Sequence, residues 1–230
     1  MLDKADELRR KRMRMLDLLA ELARSFADKC LFSERAIELG ELIAEGPTNG
    51  LYKPSSVYGD GVPILRINNF YDGEIVDISA LKRLRITDVE LSRFRLSVGD
   101  IVINRVNSLE YLGKSALVKA LTEPTVYESN MMRFSIEKSV MLPEVCIALL
   151  QTHHTREQIL SRAKNAVNQS SINQTDVRAL SLPIPAMVDQ KRFVAALKLN
   201  ETFRSNVLNT HRKAEELFLS LQHRAFSGQL

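Results

Sequence analysis

The chain has 230 residues, with 32 Lys and Arg against 28 Asp and Glu, four His, two Cys and no Trp. At 45% hydrophobic and 26% charged residues the composition is that of an ordinary globular protein, which excludes a disordered or fibrous chain. The net charge of +4 is too small to announce nucleic-acid binding, so any phosphate contacts must come from a local face.

Residues 3–28 read as a helix. Leu8, Met15 and Leu22 recur every seven residues; Arg12, Leu19 and Phe26 fill the alternate step, and Leu18 widens the apolar stripe. The cluster Arg9-Arg10-Lys11-Arg12-Met13-Arg14 reads as a solvated face balanced by nearby acids, in preference to a phosphate patch. Asp3, Asp6, Glu7, Asp17 and Glu21 argue against a transit peptide.

The pattern changes in the middle. All seven prolines and eight of the nine glycines fall within 40–185. Short β-branched runs at 62–67, 74–78, 100–103, 116–118 and 132–136 predict strands, punctuated by Gly59-Asp60-Gly61, Asp72-Gly73 and Gly99-Asp100. Helices are predicted at 142–153, with Pro143 in the first turn, and at about 155–165. The expected fold is α+β, with a curved or barrel-like sheet and helices at its end.

From 190 to 225 the helical grammar returns. Phe193, Ala196, Asn200, Phe203, Val207, Thr210, Ala214, Leu217 and Leu221 alternate in steps of three and four. Such a helix would be about 50 Å long, a length that suggests coiled-coil packing. Two readings of Asn200 and Thr210 stand: polar seam positions that fix register, or solvent-facing positions on a frayed seam. The expected organisation is an N-terminal coiled-coil-type helix at 1–30, a central domain at 35–188 and a long C-terminal coiled-coil helix at 189–230.

Catalytic signatures are missing. There is no Gly-rich phosphate loop, dinucleotide fingerprint, Asn-Pro-Pro-aromatic methyltransferase motif or nucleophile elbow. Cys30 and Cys146 lie far apart and His153-His154 are adjacent, so no zinc spacing exists and no metal is expected. The two cysteines cannot form a disulfide framework, which points to a reducing, cytoplasmic setting, and no apolar run approaches a membrane span. The chain is expected to catalyse nothing.

Three polar clusters adjoin predicted strands and turns: Arg66-Ile67-Asn68-Asn69-Phe70-Tyr71; Asn104-Arg105-Val106-Asn107-Ser108 with Gly113-Lys114; and 165–174, which includes Asn168, Gln169, Ser171 and Asn173. Arg, Asn and Gln can make paired hydrogen bonds to guanine and adenine edges, while Lys, Ser and backbone N–H groups fix phosphates. Any one such cluster alone is better explained as a loop stabilising its own backbone. Three together favour recognition.

These stretches resemble the specificity subunit of type I restriction–modification systems. The resemblance rests on Gly61-Val62-Pro63-Ile64-Leu65-Arg66-Ile67-Asn68-Asn69 and on Gly99-Asp100-Ile101-Val102-Ile103-Asn104-Arg105-Val106-Asn107-Ser108. It continues through Gln169…Ile172-Asn173, Leu180…Leu182-Pro183-Ile184-Pro185 and Gln190, to the closing Leu221…Ala225-Phe226-Ser227-Gly228-Gln229-Leu230. The family carries two target-recognition domains, each followed by a long helix; this sequence resembles half of that, with one domain between two helices.

The resemblance implies a non-catalytic subunit that binds double-stranded DNA and directs methyltransferase (modification) subunits, and an endonuclease (restriction) subunit in the full complex, to a bipartite target. It implies no cofactor in this chain, S-adenosylmethionine serving the methyltransferase partner. A homodimer would restore the paired layout, with about 50 Å corresponding to about 15 base pairs. The candidate DNA-facing residues are Arg66, Asn68, Asn69, Arg105, Asn107, Ser108, Lys114, Asn168, Gln169, Ser171 and Asn173. Asn107 and Gln169 are candidates for base edges and Lys114 for a phosphate, while Ser171 and Asn173 are equally candidates for structural roles. The candidate dimer and partner residues are Leu8, Met15, Leu19, Leu22, Phe26, Phe203, Val207, Ala214, Leu217 and Leu221. Three rivals remain: a helical protein-binding scaffold that never touches DNA, the recognition domain of a fused restriction–modification enzyme, and an enzyme with an unrecognised site.

Overall fold

The sustained heptad spacing at both ends of the sequence produces the two longest elements. In the computed structural model, helix α1 spans Leu2–Cys30 and the last helix Met187–Phe226. The structure describes residues 2–31, 33–71, 73–75, 78–165 and 169–227; the side chains of 2–6, 8, 20, 23, 24, 27, 28, 30, 165, 217 and 221–226 lie outside that description. Between the two helices run β1 (Ala36–Glu38), α2 (Leu39–Leu42), β2 (Ile43–Asn49), β3 (Tyr58–Leu65), β4 (Phe70–Tyr71), β5 (Glu74–Ile75), β6 (Arg83–Leu84) and α3 (Asp88–Phe94). They are followed by β7 (Ile101–Asn104), β8 (Val106–Asn107), β9 (Ser115–Leu117), β10 (Val126–Tyr127) and β11 (Met131–Ile136). Then come α4 (Pro143–Leu150), α5 (His153–Arg162), β12 (Lys164–Asn165), β13 (Ser170–Ser171), α6 (Gln174–Arg178) and β14 (Ser181–Pro183), so the final helix is α7. The chain divides into two units, one of residues 1–30 with 191–230 and the other of residues 31–190. Among the described residues no helix is long and apolar enough to cross a membrane.

In the helical unit α1 and α7 run antiparallel: Asn200 donates its Nδ2–H to the Leu19 carbonyl at 2.9 Å, and Arg9 pairs with Glu215 at 3.4 Å. Asn200 therefore lies on the seam, whereas the exposed Thr210 donates back to its own helix at the Asn206 carbonyl, 2.7 Å away. Arg12, Leu19, Phe26, Val207 and Ala214 are half-buried, but Met15, Leu22 and Phe203 remain exposed. Two helices can cover only one shared stripe, and the widened apolar surface of each exceeds it.

The mixed unit is built on the four-stranded antiparallel sheet β2-β11-β7-β9. The strands β7 and β9 are buried throughout, which explains the near-continuous apolar run Ile101-Val102-Ile103. Four smaller sheets surround it: β10-β3-β6, β12-β13-β8, β1-β14 and β4-β5. Among the described residues none closes into a barrel; β2 and β9 are the outer strands, β9 carrying one further bridge from Ala116 to Gly73. Strands of two to eight residues are too interrupted to carry a continuous ladder around a barrel. Irregular register between β11 and β2 at Arg133–Ser135–Ile136 bends the sheet locally. The core packs Leu65, Phe70, Leu96, Val102, Ala116, Val118, Tyr127 and Met131 into one cluster. At the sheet's polar point Arg133 pairs with the buried Asp100 at 3.3 Å. Burial pushes the Asp100 carboxyl above its ordinary range, against the opposing pull of the Ser97 N–H and of Arg133.

Predicted helix boundaries move: the helix expected at 142–153 ends at Leu150, and the next begins at His153. The helix expected to 165 ends at Arg162, and Lys164 enters β12. The residue Gln190 is a keystone of the mixed unit: fully buried, it accepts from the Leu142 N–H at 2.9 Å and donates to the carbonyls of Val140 at 2.9 Å and Pro185 at 3.0 Å. Replacing it leaves three backbone groups without a partner. Gln190→Leu is expected to destabilise the mixed unit by about 2–4 kcal/mol, read as a lowered denaturation midpoint in urea.

Candidate nucleic-acid interface

The two C-terminal polar clusters, some sixty residues apart in the chain, meet in one small sheet. In it β13 pairs antiparallel with β8, Ser170 opposite Asn107 and Ser171 opposite Val106. On its other side β13 pairs with β12, Lys164 opposite Ser171. The Ile172 N–H extends the ladder to the Arg105 carbonyl at 2.9 Å. Side chains of both clusters thereby share one edge of the mixed unit. Ser108 and Gln169 are exposed, while Asn107 and Ser171 are half-buried. The Asn107 Oδ1 accepts from the Ser108 N–H at 2.9 Å, which orients that amide. Asn168 lies outside the described residues.

The first cluster joins the second through the 128–130 turn. The Arg66 Nε donates to Glu128 Oε2 at 3.1 Å, and the Ile67 N–H to Glu128 Oε1 at 2.6 Å. The Arg105 guanidinium donates to the Ser129 carbonyl at 3.2 Å, and its backbone N–H to the Asn130 carbonyl at 2.9 Å. Both arginines are thus committed to the same turn. Asn69 closes its own turn, accepting from the Arg66 N–H at 2.9 Å, while Asn68 is exposed beside it. Asn173 is the N-cap of α6 in a reciprocal capping box: it accepts from the Asp176 N–H at 3.0 Å, and Asp176 accepts from the Asn173 N–H at 2.7 Å.

Lys114 has a setting the sequence did not suggest. Its Nζ lies 3.9 Å from the ring centre of Tyr71, 4.9 Å from that of Phe70 and 5.4 Å from that of Tyr111. The residues that sequence reasoning missed are Tyr111, which sits three residues before Lys114, and Arg156, which donates to the carbonyls of Leu109 at 3.1 Å and Glu110 at 2.9 Å. Tyr71 lay inside a noted cluster but carried no assigned role. Among the described residues no group of three His, Cys, Asp or Glu could hold a metal ion.

The chain is thus of a definite class: an α+β unit with a polar hydrogen-bonding surface, preceded and followed in sequence by a long helix. No family model matches it. It is 33% identical over 156 residues to a protein of Methanocaldococcus jannaschii named as the type I restriction enzyme MjaX specificity subunit, a match covering 67% of this chain and 36% of that one. It is 28% identical over 188 residues to the type I restriction enzyme EcoKI specificity subunit of Escherichia coli K12, covering 79% of this chain and 40% of that subunit. The fold matches the crystal structure of the HsdS subunit from Thermoanaerobacter tengcongensis with a TM-score of 0.59 at 16% identity, over 99% of this chain and 55% of that one. The chain is a homologue of the type I restriction enzyme specificity subunits, and it spans about half the length of the relatives it matches.

These partnerships separate frame from surface. Arg66→Ala is expected to cost about 1–2 kcal/mol, because it strips a half-exposed cation from the largely buried Glu128, and Asn173→Ala about 1 kcal/mol through the lost cap. The exposed Gln169→Ala is expected to leave the urea midpoint unchanged.

Proposed function

We propose that this chain is a non-catalytic DNA sequence-recognition subunit of a type I restriction–modification system. It reads double-stranded DNA through the β8–β13 edge. It directs methyltransferase and endonuclease subunits, which hold the catalytic groups and the S-adenosylmethionine, to a bipartite target in the cytoplasm. The observation that carries this reading is the meeting of the 104–108 and 169–173 polar clusters in one three-stranded sheet, with Ser108 and Gln169 exposed beside it, in a chain homologous to named specificity subunits. The exposed Gln169 amide and Ser108 hydroxyl suit hydrogen bonding to base edges, and Lys164 on the neighbouring strand suits a phosphate.

A homodimer completes the proposal. On the helical unit Met15 is 48%, Leu18 55%, Leu22 62% and Phe203 52% exposed, an apolar surface that a second helix pair or a methyltransferase subunit would cover. Two copies related by a two-fold axis would present two reading edges to one duplex.

Selection of bound duplexes from a random pool, with and without a modification subunit, tests the reading. The expected product is a two-part sequence whose affinity falls steeply with salt; recovery of no preferred sequence under either condition would reject it. For the assembly, Leu22→Asp combined with Phe203→Asp is expected to convert a sedimenting dimer to monomer. A dimer that survives both changes places the contact elsewhere.

A further inference from the structure

A pocket of about 280 Å³ opens beside the reading edge, lined among others by Tyr71, Tyr111, Lys114, Ser115, Gln151 and Arg156. Four properties mark it as built to hold something. First, its walls are brought together by two glycines in the left-handed region. A Cβ on Gly113 (φ +75°) would lie 2.6 Å from Ile159 Cδ1, and one on Gly73 (φ +84°) 2.5 Å from Gln151 Nε2. Gly113 thus lets the 108–114 loop sit directly on α5, the helix that carries Arg156 one turn before Ile159.

Second, Arg156 is oriented by the two loop carbonyls it caps, and Lys114 by three aromatic rings. Two cations are therefore held on the lining of one pocket, where a phosphate could be bound. Third, Tyr71 and Tyr111 are 46% and 41% exposed, leaving ring surface to solvent at the pocket mouth. Fourth, Ser115 is only 2% exposed, lines the pocket, and its Oγ has no hydrogen-bond partner. A buried hydroxyl without a partner costs free energy that a ligand atom would restore.

We propose that this pocket is a binding site for one nucleotide unit: an aromatic base against Tyr71 and Tyr111, hydrogen-bonded at depth by Ser115 and nearer the surface by Gln151, with its phosphate at Lys114 and Arg156. Stacking supplies affinity that any base can use. The hydroxyl and the carboxamide select among base edges. Glu110, also on the lining, repels anions, so the phosphate is held on the side of Lys114 and Arg156. The site deepens the DNA-recognition reading, because the same loop carries Asn107 and Ser108 on the reading edge and Tyr111 and Lys114 in the pocket. A nucleotide can reach it from a bound strand, by leaving the stack, or as a free monophosphate.

Two arms tell these sources apart. In the first, 2-aminopurine is scanned through a duplex recovered by the selection above, with total binding followed separately by anisotropy. One position is expected to brighten several-fold on binding to the wild-type chain, as an unstacked base does. That signal is expected to be lost in Tyr111→Ala and Arg156→Gln and kept in Tyr111→Phe, with binding by anisotropy falling no more than about tenfold. In the second arm, saturation-transfer NMR probes free dAMP against wild type and Tyr111→Ala. Transfer lost in the variant assigns the pocket to free nucleotide as well. Duplex bound by anisotropy, with no brightening at any position and no dAMP transfer, overturns the pocket and leaves the recognition reading standing. Failure of all duplex binding with dAMP transfer retained does the reverse. Far-ultraviolet circular dichroism of each variant, expected to be unchanged at these exposed tyrosines, keeps misfolding from imitating either result.

Discussion

The proposed DNA-reading surface depends on one short pairing, that of Val106–Asn107 with Ser170–Ser171. Two residues against two cannot hold themselves together: each ladder bond contributes about 1 kcal/mol, less than the entropy of ordering the residues that make it. The pairing survives because both partners are fixed just beyond it. On one side the N–H groups of Arg105 and Val106 donate to the Asn130 carbonyl at 2.9 and 3.3 Å, and β7 before them is wholly buried. On the other side Ile172 is 2% exposed, and Asn173 then starts α6, whose Val177 is fully buried. The edge is thus imposed by the core, and its outward side chains contribute little to holding it.

That separation has a consequence for a protein that reads sequence. Residues shared by every member of a recognition family cannot encode a target that differs between members. Several charged and amide groups of the motifs have intramolecular partners: Arg66 on Glu128, Arg105 on Ser129, Asn69 on its turn, Asn173 on its helix and Gln190 on three backbone groups. They occupy the motifs that carry the family resemblance. Those left exposed, Asn68, Ser108 and Gln169, are the ones a change of target could alter without disturbing the frame. Within the motifs, the partnered residues therefore build the platform, while Asn68, Ser108 and Gln169 of the same motifs stay at the surface.

The same contrast explains what was legible in the sequence. Both long helices were readable, because seven-residue spacing is a local property that survives any tertiary context. The buried strands at 101–104 and 115–117 were readable from their apolar runs, and Pro143 marked the start of α4. The β8–β13 pairing was not, since two-residue strands leave no periodicity and the contact spans more than sixty positions. Glu128 gave no sign of its role, because a lone acid within a turn looks like any solvated carboxylate. The ring cluster around Lys114 was hidden for a similar reason: Phe70, Tyr71 and Tyr111 come from two distant segments, and their convergence is a tertiary fact. The single open choice at the seam was decided by geometry, Asn200 turning to the Leu19 carbonyl and Thr210 to its own helix.

The helical unit poses the complementary problem. An isolated pair of antiparallel helices buries one stripe on each, whereas α1 and α7 carry apolar side chains over a wider arc. Leu18, Leu22, Leu199, Phe203 and Leu219 are each more than half exposed. At about 25 cal/mol per Å² of apolar surface removed from water, burying even a few such side chains is worth several kcal/mol, enough to drive association. The mixed unit has the opposite character: its large apolar side chains are mostly inside, and its outward edge is hydrogen-bonding. Assembly and reading therefore draw on different forces. Salt weakens contacts to phosphate but leaves apolar packing intact. In the proposed assembly, a rise in salt would therefore release DNA before it releases the helical contacts.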